Sequence, residues 1–517
     1  MANERILWAD DEIELLKPHI IFLEKKGYDI TTCNSGNDAV DQVRDSYFDV
    51  VFLDENMPGV SGLEALAQIK EIDPTLPVIM ITKSEEESIM EEAIGSRISD
   101  YLIKPVNPNQ ILMSIKKNLD GQRIRSEAAT TGYQQEFRQI AMRLMDRMDM
   151  DEWGVLYKKL VHWELTFDAS DDKAMEEIFV TQKQEANQQF CKYIHNNYQD
   201  LLADRDAGPV MSHTLMERKV FPILDASEDP VYVMVIDNLR YDQWKILQPK
   251  VAELFRVEDE SLFCAILPTA THYARNALFA GLMPLEIQRS FPQYWKGEND
   301  EGSKNQFEGE LLGALLKRKG YSFPWSYHKI TNLRAGKKLA DNFHQLQNNR
   351  LSVVVYNFVD MLSHARTDME VIKELADDEA AYRSLTSSWF EHSPLFDMMR
   401  QIAESGARMI ITTDHGTIRV DEPNKIVGDR NTNTNLRYKL GKNLNYDARN
   451  VLEFRQPEDV MLPRENVSSA YVFAMENDYF VYPNNYNHFV NFYRNTFQHG
   501  GVSMEEMLIP FINLVAR

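Results

Sequence analysis

Cysteine is scarce in this chain. Its three residues, Cys33, Cys191 and Cys264, stand far apart with no CxxC spacing, which excludes a disulfide framework and a thiolate zinc site and leaves them as buried thiols. Long apolar runs are missing as well. Stretches such as Val231 to Ile236 and Val353 to Val355 have the length of buried strands, far below the roughly 20 residues that span a bilayer, so no membrane insertion is expected. Positive charge is in short supply: 56 Lys and Arg against 79 Asp and Glu give a formal charge of −23, which disfavours loose binding to nucleic acid or anionic lipid. A phosphate-bearing ligand then needs local positive charge, which a bound metal can supply. The opening Met1-Ala2-Asn3-Glu4-Arg5 runs straight into the strand-like Ile6-Leu7-Trp8, without the basic start and apolar stretch of a secretory signal. A cytoplasmic location is expected.

What is present fits a large α/β protein. The 517 residues, 44% of them hydrophobic, suffice for several domains with real cores. Over residues 1–120 the short apolar strands Arg5 to Trp8, Asp29 to Thr32, Val50 to Leu53, Val78 to Ile81 and Tyr101 to Ile103 alternate with amphipathic helices, which predicts a doubly wound parallel sheet with ligands at the carboxyl ends of its strands. Residues 121–206 read as a helical bundle connector, with helix over Gln134 to Met150 and Asp172 to Leu202 and packed aromatics Trp153, Tyr157, Trp163 and Phe167. Strands return in residues 207–517, at Val231 to Ile236, Val353 to Asn357, Arg408 to Thr412, Ala470 to Phe473 and Tyr479 to Val481. That predicts a second, larger α/β domain with long insertions.

Polar residues gather at the strand ends of the first domain. Asp10 and Asp11 follow the first strand, Asp54 ends the third, Thr82 the fourth, and Lys104-Pro105 the fifth. Three carboxylates at one sheet edge repel unless a hard divalent cation joins them, and oxygen ligands suit Mg²⁺. The constellation resembles the flavodoxin-like receiver domain of two-component response regulators. The resemblance implies that Asp54 accepts a phosphoryl group, that Asp10, Asp11, Asp54 and the Asn56 carbonyl hold Mg²⁺, and that Thr82, Tyr101 and Lys104 form the switch. Added charge at Asp54 would draw Thr82 and Lys104 inward and free Tyr101 to rotate. The family's self-association face lies beside the fourth and fifth strands, where the stretch Ala93 to Ser99 departs from the usual run.

The last domain places Asp237, Asp360 with His364 four residues on, Asp414-His415-Gly416 and His499-Gly500-Gly501 in order along the chain. Three aspartates and three histidines suit two Zn²⁺ ions in mixed nitrogen and oxygen coordination. Thr271, in Leu267 to Arg275, is a seventh candidate, because a metal can stabilise the alkoxide of an otherwise poor nucleophile. This order resembles the alkaline phosphatase superfamily, in particular its nucleotide phosphodiesterase-like branch and the PglZ-type proteins. The resemblance implies Asp237, Thr271, Asp414 and His415 around one zinc, Asp360, His364 and His499 around the other, and Thr271 as catalytic nucleophile. Ala274 stands where that branch has an Asn that holds phosphate, so Arg240, Arg275 and Asn276 become the candidate substrate contacts.

Taken together, receiver, connector and phosphatase-like domain resemble the PorX-type response regulators. That resemblance implies zinc-dependent phosphodiesterase output on linear or cyclic oligonucleotides rather than promoter binding, a sensor histidine kinase as donor, and a homodimer formed on phosphorylation. It also implies partners in the cytoplasmic part of type IX secretion and a sigma factor. The competing expectation is a signalling adaptor whose phosphatase-like fold binds but does not hydrolyse.

Overall fold

Runs of Val, Ile and Leu build the two large sheets of the protein. In the computed structural model, residues 4–73, 76–82, 98–170, 172–369, 378–429 and 432–517 are described, with side chains at all of these except 120–128, 364–366, 368 and 450. The chain divides into two compact units, Met1–Gln135 with Ala169–Lys173, and Glu136–Asp168 with Ala174–Arg517.

The first unit carries β1 (Arg5–Ala9), β2 (Asp29–Cys33), β3 (Val50–Asp54), β4 (Val78–Thr82) and β5 (Asp100–Ile103), all parallel in the order β2-β1-β3-β4-β5. This is the doubly wound, flavodoxin-like order that the sequence predicts. Alternation along each strand sends Leu7, Val51 and Leu53 to one layer and Ile6, Trp8, Phe52 and Ile79 to the other. The helix Gly62–Ile72 starts at a capping box between Ser61 and Glu64, which satisfies two otherwise orphaned backbone donors. Most of the divergent stretch before Asp100 lies outside the described residues, and with it the shape of the expected self-association face.

The helix expected to reach Met150 ends at Met145 within Pro108–Met145, and a new one, Met150–Asp168, precedes Lys173–Ala203. Trp153 meets Phe190 edge-on at 5.4 Å between the last two. In the second unit these helices are knitted into the α/β core by buried charge. Arg383 reaches Glu164 at 3.0 Å, Asp168 at 2.6 Å and Asp242 at 2.8 Å. Lys183 pairs with Glu164 at 2.8 Å and Glu505 at 3.0 Å. Arg240 joins the same group through Asp242 and Glu379 at 2.5 and 2.6 Å.

The main sheet of the second unit holds β6 (Val231–Ile236), β7 (Phe255–Cys264), β8 (Trp325–Ile330), β9 (Leu351–Tyr356), β10 (Arg408–Thr412) and the C-terminal strand Leu508–Ala516. Their order is β7, C-terminal strand, β10, β6, β9, β8. The last four are parallel, and the C-terminal strand pairs antiparallel with β10 on one side and β7 on the other. β6 and β9 are buried from end to end, as their unbroken apolar runs require. The expected strands near Ala470 and Tyr479 exist, as Ala470–Ala474 and Asp478–Val481, but they belong to small side sheets.

Arg383 is nearly fully buried, so truncating it takes one of two counter-ions from Glu164 and from Asp242, which keep Lys183 and Arg240, and removes the guanidinium that Asp168 binds. The variant Arg383→Met should lose roughly 3–5 kcal/mol, read as a lower urea midpoint of tryptophan fluorescence. A midpoint equal to that of the wild type contradicts this.

Candidate functional site

In the first unit, β1 and β3 are neighbours, so Asp10 and Asp54 leave the same sheet edge. Their carboxylate oxygens and one of Asp11 lie within 4.8 Å of one another. Asp10 and Asp54 are buried, and Lys104, arriving from the end of β5, bridges them at 2.9 and 3.0 Å. Burial raises the Asp54 carboxyl from 3.8 to about 6; Lys104 opposes the shift, while Asp10 and Asp11 add to it. An acid cluster that strains to ionise fits a divalent cation. The buried Thr82 hydroxyl donates to the Glu55 carboxylate, and half-buried Tyr101 packs on the core beneath it. Asn56 is exposed in the turn after Asp54.

The second unit repeats this logic on β6 and β10, also parallel neighbours. Asp237 follows β6 and Asp414 follows β10, with His415 next in the chain; one ligand atom from each lies within 4.8 Å of the other two. Asn238 takes the left-handed region at φ 66°, which Asn tolerates. Its backbone N–H points to Asp414 Oδ1 at 3.4 Å. Asp414 Oδ2 and Asp237 Oδ1 are buried with no hydrogen-bond donor among the described residues, and they stand 3.6 and 3.8 Å from His415 Nε2. His415 Nδ1 faces the Gly416 carbonyl at 3.1 Å. A carbonyl only accepts, so Nδ1 carries the proton and, in the neutral ring, Nε2 presents a lone pair. Thr271 Oγ1 lies 3.0 Å from that Nε2. A hydroxyl, an imidazole nitrogen and two orphaned carboxylate oxygens thus converge, a donor set that fits zinc.

Beside it, His499 stacks on His415 with ring centroids 4.2 Å apart. Pairing of Thr496–Gln498 with Ile418–Val420 carries the His499 turn to this edge. Its Nδ1 meets the Thr269 carbonyl at 3.2 Å, and its Nε2 lies 3.6 Å from Asp360 Oδ1. His364 falls one helical turn after Asp360 in Phe358–Asp368, but its side chain lies outside the described residues. The threonines divide their work. Thr269 is fully buried and bonded to the backbone of Gly500 and Gly501, whereas Thr271 opens the helix Thr271–Ala280 and faces His415. At Gly500, φ 123°, a Cβ would come within 2.7 Å of Tyr438, so the turn admits only glycine.

The three expected substrate contacts are placed otherwise. Arg240 is buried and committed to Asp242 and Glu379. Arg275 is 1% exposed and binds Asp237 and Glu308, each at 2.6 Å. Asn276 donates its amide to the backbone of His272 and Lys304. Each is turned inward because a buried polar group needs partners more than a ligand does. Glu506, which the sequence analysis does not single out, pins the His499 turn through Gly501 N–H at 2.9 Å, Ser503 Oγ at 2.7 Å and Arg437 at 2.7 Å. Only the chain's closure brings Arg437 and Glu506 together.

Residues 6–116 match the response regulator receiver domain, 123–202 the PorX response regulator linker domain, and 215–514, more than half of the chain, the BREX system PglZ alkaline phosphatase-like domain. The transcriptional regulatory protein ResD of Bacillus subtilis is 32% identical over 116 residues, which are 22% of this chain and 48% of ResD. The transcriptional regulatory protein ZraR of Escherichia coli K12 is 33% identical over 117 residues, 23% of this chain and 26% of ZraR. The chain spans under half the length of either relative. A receiver domain from Clostridium thermocellum is 28% identical in a match that covers 23% of this chain and 98% of that one, at a TM-score of 0.23. A CheY-like receiver from Methanospirillum hungatei JF-1 is 26% identical, over 23% and 97% of the two chains, also at 0.23.

The receiver geometry generates a pH prediction. Without Mg²⁺, carboxyl NMR should find Asp54 titrating at about 6 rather than 3.8, and Lys104→Ala, which removes the opposing ammonium, should move it higher. Folding tightens this proton, so the stability Asp54 contributes is present below the unfolded value and is lost as pH climbs through about 6. An Asp54 that titrates at the ordinary carboxylate value refutes the assignment.

Proposed function

We propose a function on one premise: the chain belongs to the PglZ alkaline-phosphatase-like family, with the receiver and linker of PorX-type response regulators ahead of that domain. It is a response regulator with a phosphatase-like effector. On our reading a sensor histidine kinase supplies the phosphoryl group that Asp54 accepts, with Mg²⁺ held by Asp10, Asp11, Asp54 and Asn56. Two chains then pair, and the effector hydrolyses phosphodiesters of the linear or cyclic oligonucleotide type. On the same reading its setting is the control of type IX secretion, which the likeness of residues 123–202 to the PorX linker supports.

The observation that carries this reading is the convergence of Thr271 Oγ1, His415 Nε2, Asp237 Oδ1 and Asp414 Oδ2 with no donor to either carboxylate oxygen. Those four residues would hold one zinc, and Asp360, His499 and His364 the other. Bound there, zinc supplies the positive charge that favours a threonine alkoxide and neutralises phosphoryl oxygens. The chain does the rest. Without the metal the Thr271 hydroxyl donates to His415 Nε2, the same lone pair that zinc would take, so the contact marks where the hydroxyl oxygen and the ligand nitrogen meet, and the Gly416 carbonyl holds the ring from behind. Thr271 stands at the first position of a ten-residue helix, whose N-terminal dipole favours an anionic phosphoryl group. That field takes over part of the role of the amide missing at Ala274.

One observation favours the second reading, a non-hydrolytic adaptor: Arg240, Arg275 and Asn276 are each engaged by protein groups rather than held ready for a phosphoryl oxygen. Turnover separates the two. Zinc-loaded protein should hydrolyse bis-p-nitrophenyl phosphate, and Thr271→Ala should lower kcat/KM by about 1,000-fold or more. Equal turnover in that variant removes Thr271 from its role, and binding of a cyclic dinucleotide without turnover supports the adaptor. In sedimentation, wild type treated with a phosphodonor should shift to dimer while Asp54→Ala stays monomeric; identical behaviour counts against the switch.

A further inference from the structure

Thr271 and Arg275 lie one helical turn apart on Thr271–Ala280, so their side chains leave the same face. Thr271 meets His415, and Arg275 reaches the carboxylates behind it. One guanidinium nitrogen is 2.6 Å from Asp237 Oδ2 and 3.6 Å from Asp414 Oδ2, and another is 2.6 Å from Glu308 Oε1. Glu308 is as buried as Arg275. Its second oxygen takes Lys329 at 3.0 Å and the Tyr327 hydroxyl. Burial pushes the Glu308 carboxyl up, but Arg275 and Lys329 overcome it and hold Glu308 ionised.

The consequence is a division of labour between the two oxygens of Asp237. Oδ2 is claimed by the guanidinium, while Oδ1 is left without a donor on the side of His415. We infer that Arg275 and Glu308 are positioning residues for the zinc site: the guanidinium turns Asp237 so that Oδ1 alone faces the cation, and Glu308 locks the guanidinium in place. The inference rests on the zinc reading above. A guanidinium beside a divalent cation would by itself repel it. The Glu308 carboxylate offsets that charge at contact distance, so orientation rather than repulsion decides the net effect. A lysine keeps the charge at this position but lacks the planar fork that grips two carboxylates at once.

Zinc affinity, measured on metal-stripped full-length protein by competition with a chromogenic chelator, tests this without recourse to turnover. R275K should bind zinc about 10- to 100-fold more weakly than wild type while its near-UV circular dichroism is unchanged. E308Q, which keeps the shape of the side chain and releases the guanidinium, should weaken zinc in the same direction and serves if R275K does not fold. R275K or E308Q protein that is folded and binds zinc as tightly as wild type, or more tightly, overturns the inference and leaves the zinc site standing. Wild-type protein that takes up no zinc overturns the zinc reading and the inference with it.

Discussion

Carboxylates at the ends of neighbouring parallel strands cannot share a buried edge unless a cation stands between them, and this chain meets that constraint twice. In the first unit Lys104 bridges Asp10 and Asp54. In the second, Arg275 leans on Asp237 and Asp414. In each case the protein supplies one internal cation and leaves oxygens for another. The internal cation lets the strands end in acid without forcing the fold apart, and the remaining lone pairs define where a divalent ion is wanted. Parallel sheets make this arrangement natural, because they align several strand ends at one edge.

Much of this was legible in the chain. The strands beneath the two sites are unbroken apolar runs, so the polar residue that ends each stands out: Asp54 after Val50 to Leu53, Asp237 after Val231 to Ile236, Asp414 after the run that begins at Arg408. What escaped was whatever depends on long-range pairing. Arg275 and Arg240 read as phosphate contacts, because nothing local tells an arginine buried among carboxylates from one that awaits a ligand. β7 carries the acidic run Glu258-Asp259-Glu260 in its middle, which hides a strand at the edge of the sheet from a search for apolar runs. The C-terminal strand is not among the expected strands, and it carries Pro510, a residue rare in interior strands. Yet it lies between β7 and β10, where its carbonyl accepts from the Thr412 hydroxyl at 2.9 Å.

The turns at the active edge are held by groups that do no chemistry. Gly416 lies so close to the Glu505 carbonyl that any Cβ would collide with it, which places His415 directly above the last turn before the C-terminal strand. Glu506 and Arg437 fix the neighbouring turn from the other side. Both histidines owe their orientation to main-chain carbonyls, Gly416 and Thr269. The edge that carries the candidate donor set is therefore fixed by the backbone beneath it, the condition under which such a set keeps its geometry.

The ion-paired charges of Glu164, Asp168 and Lys183 alter the meaning of the helices between receiver and effector. They are bound to Asp242, Arg383 and Glu505, and two of those partners stand close in sequence to the reactive groups, Asp242 after Asp237 and Glu505 after His499. A segment pinned in this way is no tether whose length can drift. Insertions or deletions there would leave formal charges in a medium of low polarity, so recombination between such regulators has room to exchange receivers, but the seam must fall upstream of these helices.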